Sequence, residues 1–336
     1  MIFYTSSVQH IHLEPTTDCN ARCPQCARTD GCTLSVKPDL VIDEVSADEL
    51  RDLLATPEFS NIEHVLISGN YGDIVMHTHP RKLLEVLIEK NIQVRMNTNG
   101  GAQSNAFWAW LGSTKVEVEF AIDGLEDTHD LYRRNTRYDV VINNAKRFID
   151  AGGHAFCAMN VFLHNEHQKK DLAKVCKDLG FKDITYRADE RFYSPEGVAC
   201  YDNDGNVTHY LEPTTEYTNR FHKKELLPHQ TARTKELSKT VKCRVLNKDG
   251  FINKPDVHSI YISGSMKAWP CCWMEFDSIL ETNNLRNDSF ETINKEFYQK
   301  ISSKWGTPQC LDVCVRKCSV ETIADRLQPY ESGMIV

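Results

Sequence analysis

The feature that most constrains the fold is an alternation of short apolar runs with amphipathic helical patterns between residues 8 and about 188. This alternation is typical of repeated β–α units, in which helices join neighbouring parallel strands. Six units can be counted. Their strands are predicted at residues 8–14, 63–68, 92–97, 115–122, 154–162 and 183–187. The sequence therefore predicts an α/β fold built on a parallel sheet.

The helices between these strands have recognisable ends. Ser46 and Glu49 form a capping-box pattern before an apolar stripe, and Pro80 stands where the first turn of a helix would begin. A helix over 139–151 is expected to stop at the glycine pair that follows it. In the helix predicted before Gly180, Cys176 lies on the apolar face, so we expect it to be a core residue.

Composition excludes several classes of function. The chain has 336 residues with 39 basic and 47 acidic side chains, and it contains no long run of Lys or Arg, so a nucleic-acid partner and an RNA-modifying role are disfavoured. The N-terminus lacks the pattern of a signal peptide, and no apolar stretch approaches 18 residues. We therefore expect a cytoplasmic protein without a membrane partner. Its 13 cysteines occur in closely spaced groups, which favours metal binding over disulfides.

The first group is a C-x3-C-x2-C pattern formed by Cys19, Cys23 and Cys26, directly after the first predicted strand. A four-iron cluster needs four ligands, and three thiolates in one tight loop leave one iron open to a small molecule. Zinc sites usually add a second, distant ligand pair and close all four positions. The sequence therefore favours an iron–sulfur cluster, with a zinc knuckle or a reduced cysteine cluster as the alternative.

This spacing after a first strand resembles the cluster loop of radical S-adenosylmethionine (SAM) enzymes, and the resemblance covers residues 8–188. It implies a partial (β/α)6 barrel and a 4Fe-4S cluster whose open iron chelates the amino and carboxylate groups of SAM. The implied chemistry is reductive cleavage of SAM to methionine and a 5′-deoxyadenosyl radical. That radical removes hydrogen from a substrate inside the barrel.

Residues at successive strand ends resemble the SAM-binding motifs of this family. Asp73 stands where the family usually has a Gly-Gly-Glu segment, and Asn99 lies in a Thr-Asn-Gly turn. Asp123 precedes a glycine, and Arg133 ends a His-Asp-x-x-Arg segment similar to that of the peptide-modifying branch. The resemblance implies that these four residues bind SAM, with Arg134 as a substitute for its neighbour. No catalytic residue can be assigned.

Strand alternation predicts a polar barrel interior. On the fourth strand Val118 and Phe120 would face the helices, whereas Glu117 and Glu119 would face inward with Arg95 of the third strand. Charged groups are rarely buried without partners. These side chains therefore either pair with one another or meet a polar substrate.

The C-terminal cysteines resemble the twitch or SPASM extension of radical SAM enzymes, which carries auxiliary 4Fe-4S clusters. We predict a barrel domain at 1–188, a linker at 189–240 and an auxiliary domain at 241–336. The full SPASM spacing is absent, and six cysteines cannot fill two complete clusters. We expect one auxiliary cluster, with zinc as the alternative and Cys272 as a bystander. Its ligands are expected to be Cys243, Cys271 and two residues from Cys310, Cys314 and Cys318.

The resemblance implies an enzyme that oxidises or crosslinks a peptide or protein side chain, with the auxiliary cluster as electron acceptor. A sugar or cyclitol dehydrogenase has the same architecture and is the main alternative. A non-enzymatic iron–sulfur or zinc protein is the second. Only seven residues precede Val8, so we expect no fused leader-binding domain, and we expect flavodoxin or ferredoxin as the electron donor.

Overall fold

The computed structural model describes residues 1–4, 7–188, 191–192, 194–216, 238–243, 245–246, 258–276, 279–319 and 332–333. All six predicted strands are present. The strands are β1 (His10–Leu13), β2 (His64–Ile67), β3 (Gln93–Thr98), β4 (Glu117–Ala121), β5 (His154–Val161), β6 (Asp183–Ala188), β7 (Val198–Tyr201), β8 (Val207–Leu211), β9 (Ser259–Ile262), β10 (Ala268–Trp269) and β11 (Ser332–Gly333).

The four helices that the sequence predicts are all present, among eight α-helices in the described part of the chain. The eight helices are α1 (Ala47–Leu53), α2 (Pro80–Glu89), α3 (Asn105–Gly112), α4 (His129–Tyr132), α5 (Tyr138–Asp150), α6 (Lys169–Leu179), α7 (Phe290–Lys300) and α8 (Asp312–Cys318). The capping box of Ser46 and Glu49 is formed in full, and Pro80 is the first residue of α2. Cys176 is fully buried in the core, as predicted.

Strands β1 to β6 form a parallel sheet in which each strand pairs with the next along the chain. The side chains on the helix-covered face are apolar and almost fully buried, among them Ile11, Val65, Met96 and Phe120. Their burial is the main stabilising contribution, since each such side chain gains about 1.5–3 kcal/mol on leaving water. The opposite face is left for polar groups. A six-stranded parallel sheet with helices on one face is the predicted partial barrel.

The sheet continues beyond the six predicted strands. β9 pairs with β1 in parallel, with His10 opposite Ser259, and β10 then pairs with β9 in antiparallel fashion. The first residues of the chain also pack against the C-terminal part, because Tyr4 exchanges two hydrogen bonds with Asn294 of α7. The barrel and the C-terminal segment thus share one sheet, and the domain boundaries at 188 and 240 stay predictions.

The predicted linker contains a hairpin, β7–β8, which the sequence did not indicate. The backbone N–H of Tyr201 donates to the carbonyl of Cys32, and the buried Arg134 donates to the carbonyls of both residues. The hairpin therefore closes over the loop that carries the first cysteines. No helix in the described part of the chain is long and apolar enough to span a bilayer.

Candidate active site and metal centres

The cysteine loop follows the carboxyl end of β1 and is held by the loop after β2. A side chain at Gly72 would overlap the carbonyl group of Thr16, so only glycine permits this approach of the two backbones. Asp73 N–H donates to the carbonyl of Asp18, next to Cys19, at 2.8 Å. The position of Cys19 is thus fixed by contacts between the loops that follow β1 and β2.

The sulfur atoms of the loop lie among groups suited to a bound cluster. The Asn99 side-chain amide is 3.5 Å from the Cys19 sulfur, and an Arg133 N–H nitrogen is 3.9 Å from the Cys23 sulfur. Burial raises the pKa of the Cys23 thiol to about 11, although the charge of Arg133 opposes this. Such thiols ionise when a metal binds them, and N–H donors to the sulfurs then tune the cluster.

Cys19, Cys23 and Cys26 are here called the first cysteine set. Three thiolates in one loop leave the fourth position of a 4Fe-4S cluster open, whereas structural zinc sites close all four positions with protein ligands. The donor set therefore suits an iron–sulfur cluster better than a structural zinc ion.

Asp73 connects the loops after β2 and β3. Its carboxylate accepts hydrogen bonds from the Thr98 hydroxyl at 2.8 Å, the Asn99 N–H at 2.7 Å and the Val75 N–H at 3.2 Å. A carboxylate has about four acceptor positions, so one remains for an ammonium group. Contact of Asp73 with SAM stays a prediction, because these three bonds give the residue a structural role as well.

Asp123 and Arg133 form a close ion pair beside the first cysteine set. The guanidinium Nε is 2.6 Å from one carboxylate oxygen of Asp123, and the other oxygen accepts the N–H of Asn160 at 2.6 Å. Arg133 therefore lies between a buried carboxylate and the Cys23 sulfur. Arg134 instead donates to the carbonyls of Cys32 and of Tyr201 in the hairpin, so neither arginine forms a simple surface ion pair.

His129 completes this corner from α4. Its Nδ1 accepts the Asp123 N–H at 3.2 Å, so the ring proton resides on Nε2, which is 3.3 Å from the Thr136 hydroxyl. Burial first, and then the charge of Arg133, lower the pKa of His129 to about 3. The imidazole is therefore neutral at ordinary pH and acts as a support for Asp123.

The inner face of the sheet is polar, as predicted. Glu119 is buried and pairs with Arg95 at 2.9 Å and with Arg187 at 2.6 Å. This ion pair network spans β3 to β6, which is possible only on one common face of the sheet. The sequence left open whether these charged groups pair with one another or meet a polar substrate. Glu119 pairs with other charged side chains.

Four of the C-terminal cysteines come together and are here called the second cysteine set: Cys243, Cys271, Cys314 and Cys318. Burial first, then the adjacent thiol of Cys272, and then the thiols of Cys243, Cys314 and Cys318, raise the pKa of Cys271. Burial and the thiols of Cys318 and Cys314 likewise raise the pKa of Cys243. The set thus unites residues that lie far apart in the sequence.

Cys310 and Cys272 differ from the second cysteine set. Burial first, and then the charge of Asp312, raise the pKa of Cys310. Cys318 is the one thiol that also raises it, and its effect is smaller than either of these. Cys272 begins a short 3-10 helix, and the charged groups that act on it are Glu275 and Lys317. The ligand choice among Cys310, Cys314 and Cys318 stays a prediction, and the structure brings the last two beside Cys243 and Cys271.

A buried polar network, which sequence reasoning missed, joins the end of β1 to the turn after Cys271. Glu14 accepts the backbone N–H groups of Tyr71 and Gly72 at 2.6 and 2.8 Å, and the Tyr261 hydroxyl at 2.7 Å. The same hydroxyl is 2.7 Å from Glu275. A phenol has one proton, so the second carboxyl must supply a proton of its own. Burial first, and then the charge of Glu14, raise the pKa of Glu275 to about 7.

Asn70 links the first cysteine set to the turn after Cys271. Its side-chain amide donates to the Cys272 carbonyl at 2.9 Å and to Glu275 at 2.7 Å. The main-chain carbonyl oxygen of Asn70 is 3.9 Å from the Cys26 sulfur. The only sequence signal for these contacts was the position of Asn70 in the Gly-rich loop and of Glu275 shortly after the cysteine pair.

A parallel partial barrel whose first strand runs into a three-cysteine loop defines an iron–sulfur protein with its metal site at the carboxyl edge of the sheet. Residues 13–179 match the family described as the Radical SAM superfamily, and the chain belongs to this superfamily. This superfamily consists of enzymes that use SAM and a 4Fe-4S cluster. That the first cysteine set holds this cluster stays a prediction.

One curated relative is the antilisterial bacteriocin subtilosin biosynthesis protein AlbA of Bacillus subtilis (strain 168). It is 25% identical over 181 residues, which is 53% of this chain and 38% of the relative. The chain thus aligns with well under half of the length of AlbA. This relative is named for the biosynthesis of a bacteriocin.

Two solved structures share the fold at low sequence identity. Streptococcus suis SuiB bound to SAM has a TM-score of 0.57 and 14% identity, covering 86% of this chain and 66% of SuiB. The enzyme anSMEcpe with bound SAM has a TM-score of 0.56 and 14% identity, covering 87% of this chain and 77% of anSMEcpe. SuiB has also been solved with its precursor peptide SuiA. These similarities extend well beyond residue 179 and support one fold for most of the chain.

Proposed function

We propose that this radical SAM enzyme removes hydrogen from a peptide or protein side chain and leaves it oxidised or crosslinked. The observation that carries the proposal is the link through Asn70, which contacts both Cys26 of the first cysteine set and the turn after Cys271 of the second. Oxidation of a substrate requires an outlet for its electron. A second metal-binding set joined to the first by one residue can provide that outlet.

The residues at the carboxyl edge of the sheet have distinct roles in this proposal. When bound, the cluster and SAM supply a 5′-deoxyadenosyl radical. Arg133 balances the negative charge of Asp123 and of the Cys23 sulfur, and a guanidinium in this place offers further N–H groups to the SAM carboxylate. Asp73 retains one acceptor position for the SAM ammonium group, and Asn99 orients the Cys19 sulfur.

The second cysteine set is proposed to hold one auxiliary 4Fe-4S cluster, so that the C-terminal part is twitch-like or SPASM-like. Four thiols suffice for a fully ligated cluster. The backbone positions two parts of this set, because the N–H of Lys242, next to Cys243, donates to the Cys318 carbonyl at 2.8 Å and Cys271 lies two residues after β10. A fully ligated cluster suits electron transfer better than direct binding of a substrate.

The choice of a peptide substrate is supported by the relatives. AlbA takes part in the biosynthesis of a bacteriocin, and SuiB has been seen with a precursor peptide. The second candidate is a dehydrogenase for a sugar or cyclitol. The polar inner face around Glu119 favours that candidate, because a polyol needs many hydrogen-bonding groups. Flavodoxin or ferredoxin is proposed as the electron donor in either case.

Iron analysis after anaerobic reconstitution tests the two metal sites. We expect about eight irons per chain in the native protein and about four in Cys314→Ala. Cys310→Ala, the matched control, should retain all of them. Equal iron loss in both variants, or about four irons in the native protein, would contradict the auxiliary cluster.

Product analysis tests the substrate. The reconstituted enzyme is given dithionite, SAM and either a peptide library or a panel of sugars and cyclitols, and 5′-deoxyadenosine is measured. The proposal expects peptides to raise nucleoside formation and to lose two hydrogen atoms by mass spectrometry. Stimulation by the polyols alone would favour the dehydrogenase.

A further inference from the structure

A group of metal-ligand side chains lies at the opposite end of the barrel from the first cysteine set. His10 begins β1, His64 begins β2 and Glu63 directly precedes His64. One potential ligand atom from each of these three residues lies within 4.8 Å of the others. Neither cysteine set contributes a residue to this group. The first set lies beyond the carboxyl end of β1, and Cys271 of the second set lies two residues after β10, which runs antiparallel to β9.

The positions of the two histidines are set by the sheet. His10 and His64 are register partners on neighbouring parallel strands, so their side chains project from the same face. Their ring centroids are 4.5 Å apart. The backbone holds both strand starts, because the N–H of Glu63 donates to Gln9 at 2.8 Å and the N–H of His10 donates to His258 at 3.1 Å. Rotation of the three side chains is therefore enough to direct their ligand atoms toward one ion.

The chemistry of the three donors selects the class of ligand. Two neutral imidazoles and one carboxylate bind Zn²⁺ and other divalent transition metals, whereas Mg²⁺ and Ca²⁺ prefer oxygen ligands alone. The single negative charge of Glu63 offsets part of the charge of the ion. Both histidines are half-buried and Glu63 is exposed, so an ion can enter from solvent.

We propose that His10, Glu63 and His64 bind one divalent transition metal ion, with Zn²⁺ as the reference ion, at the amino-terminal end of the barrel. Three protein ligands leave at least one position for water. The ion would join β1 to β2 at the end of the sheet that lies away from the SAM site, where a stabilising role is expected. The site is independent of the iron–sulfur chemistry and of the substrate.

Zinc X-ray absorption tests the proposal on the whole, untagged chain. The protein is first reconstituted anaerobically with iron and sulfide so that its cysteines are occupied, then given one equivalent of ZnCl₂ and desalted. We expect retained zinc with only nitrogen and oxygen neighbours at about 2.0–2.1 Å, and no sulfur neighbour at about 2.3 Å.

Variants identify the ligands. His64→Ala and Glu63→Gln should each weaken zinc retention by roughly tenfold or more, as expected when a ligand is lost. His154→Ala is the matched control, because His154 is exposed and also begins a strand. Glu63→Gln keeps the test valid if the histidine variant does not fold, since Glu63 is exposed. Absent zinc, a zinc–sulfur shell in the native protein, or equal retention in Glu63→Gln and His154→Ala would each overturn the proposal.

Discussion

The side-chain amide of Asn70 donates to the main-chain carbonyl of Cys272 at 2.9 Å, although the two residues are separated by 202 positions in the chain. The main-chain carbonyl of Asn70 lies 3.9 Å from the Cys26 sulfur. The loop after β2 and the turn that follows Cys271 are therefore coupled through Asn70, whose main chain contacts Cys26 and whose side chain contacts the turn.

Replacing Asn70 tests this coupling. Asn70→Ala removes two hydrogen bonds, one of them to the carboxyl of Glu275, which together contribute about 2–3 kcal/mol. We expect SAM binding to weaken by roughly tenfold or more, while about the full iron content is retained. Equilibrium binding of SAM and iron analysis measure the two quantities. Asn61→Ala is the control, because the Asn61 amide only reaches the Ser7 hydroxyl, at 3.4 Å; equal effects of both variants would exclude a special role for Asn70.

Arg133→Lys tests the role of the guanidinium fork. Lysine keeps the charge, but it cannot bond Asp123 and approach the Cys23 sulfur with fixed geometry. We expect formation of 5′-deoxyadenosine to fall by about tenfold or more, mainly through a higher KM for SAM. The matched control is Arg137→Lys, since Arg137 is exposed and pairs with Asp139 at 2.6 Å. An unchanged KM in Arg133→Lys would assign the SAM carboxylate to another residue.

The carboxyl pair around Tyr261 predicts a pH dependence of stability. The folded-state pKa of Glu275 is raised from 4.5 to about 7, so the folded protein holds this proton more tightly than the unfolded chain. The corresponding stability is present below about pH 4.5 and is lost as the pH rises through about 7. Between pH 6 and pH 8, the free energy of unfolding should fall by about 1.4 kcal/mol from this group.

Glu275→Gln isolates that contribution. Glutamine resembles the protonated carboxyl, so the variant should lose the dependence of its urea midpoint on pH over this range. Glu291→Gln, in which an exposed pair with Lys295 is removed, should retain the dependence of the native protein. Identical pH dependence in the native protein and in Glu275→Gln would contradict a shared proton in the network.

His129 predicts the opposite sign. Its folded-state pKa is lowered from 6.5 to about 3, so the unfolded chain binds the proton first as the pH falls. The stability is therefore present above about pH 6.5 and is lost toward about pH 3, with a loss of about 1 kcal/mol between pH 7 and pH 5.5. His129→Asn should remove this part of the acid sensitivity in urea unfolding, whereas the exposed His154→Asn should not. Equal acid sensitivity in the two variants would show that His129 is not the group responsible.

The sequence predicted the elements of the barrel because their signals are local. Periodic apolar residues, the capping box at Ser46 and the three-cysteine spacing each depend on neighbouring positions, and all six strands are present. The contacts of Glu14 with Tyr261 and of Asn70 with Cys272 join residues more than 200 positions apart. Pairings of this kind depend on how β9 docks on β1, and no local pattern contains that information.

Because β9 pairs with β1, this part of the sheet can be completed only late in the synthesis of the chain. His10 leaves the ribosome early, and its partner Ser259 follows only after most of the chain has been made. Until then the outer edge of β1 has unpaired backbone groups, which can pair with other chains. Closing so long a loop is slow, and partly made chains are therefore exposed to aggregation. Loading of the Cys19 loop with iron before translation ends would have to occur on an open sheet.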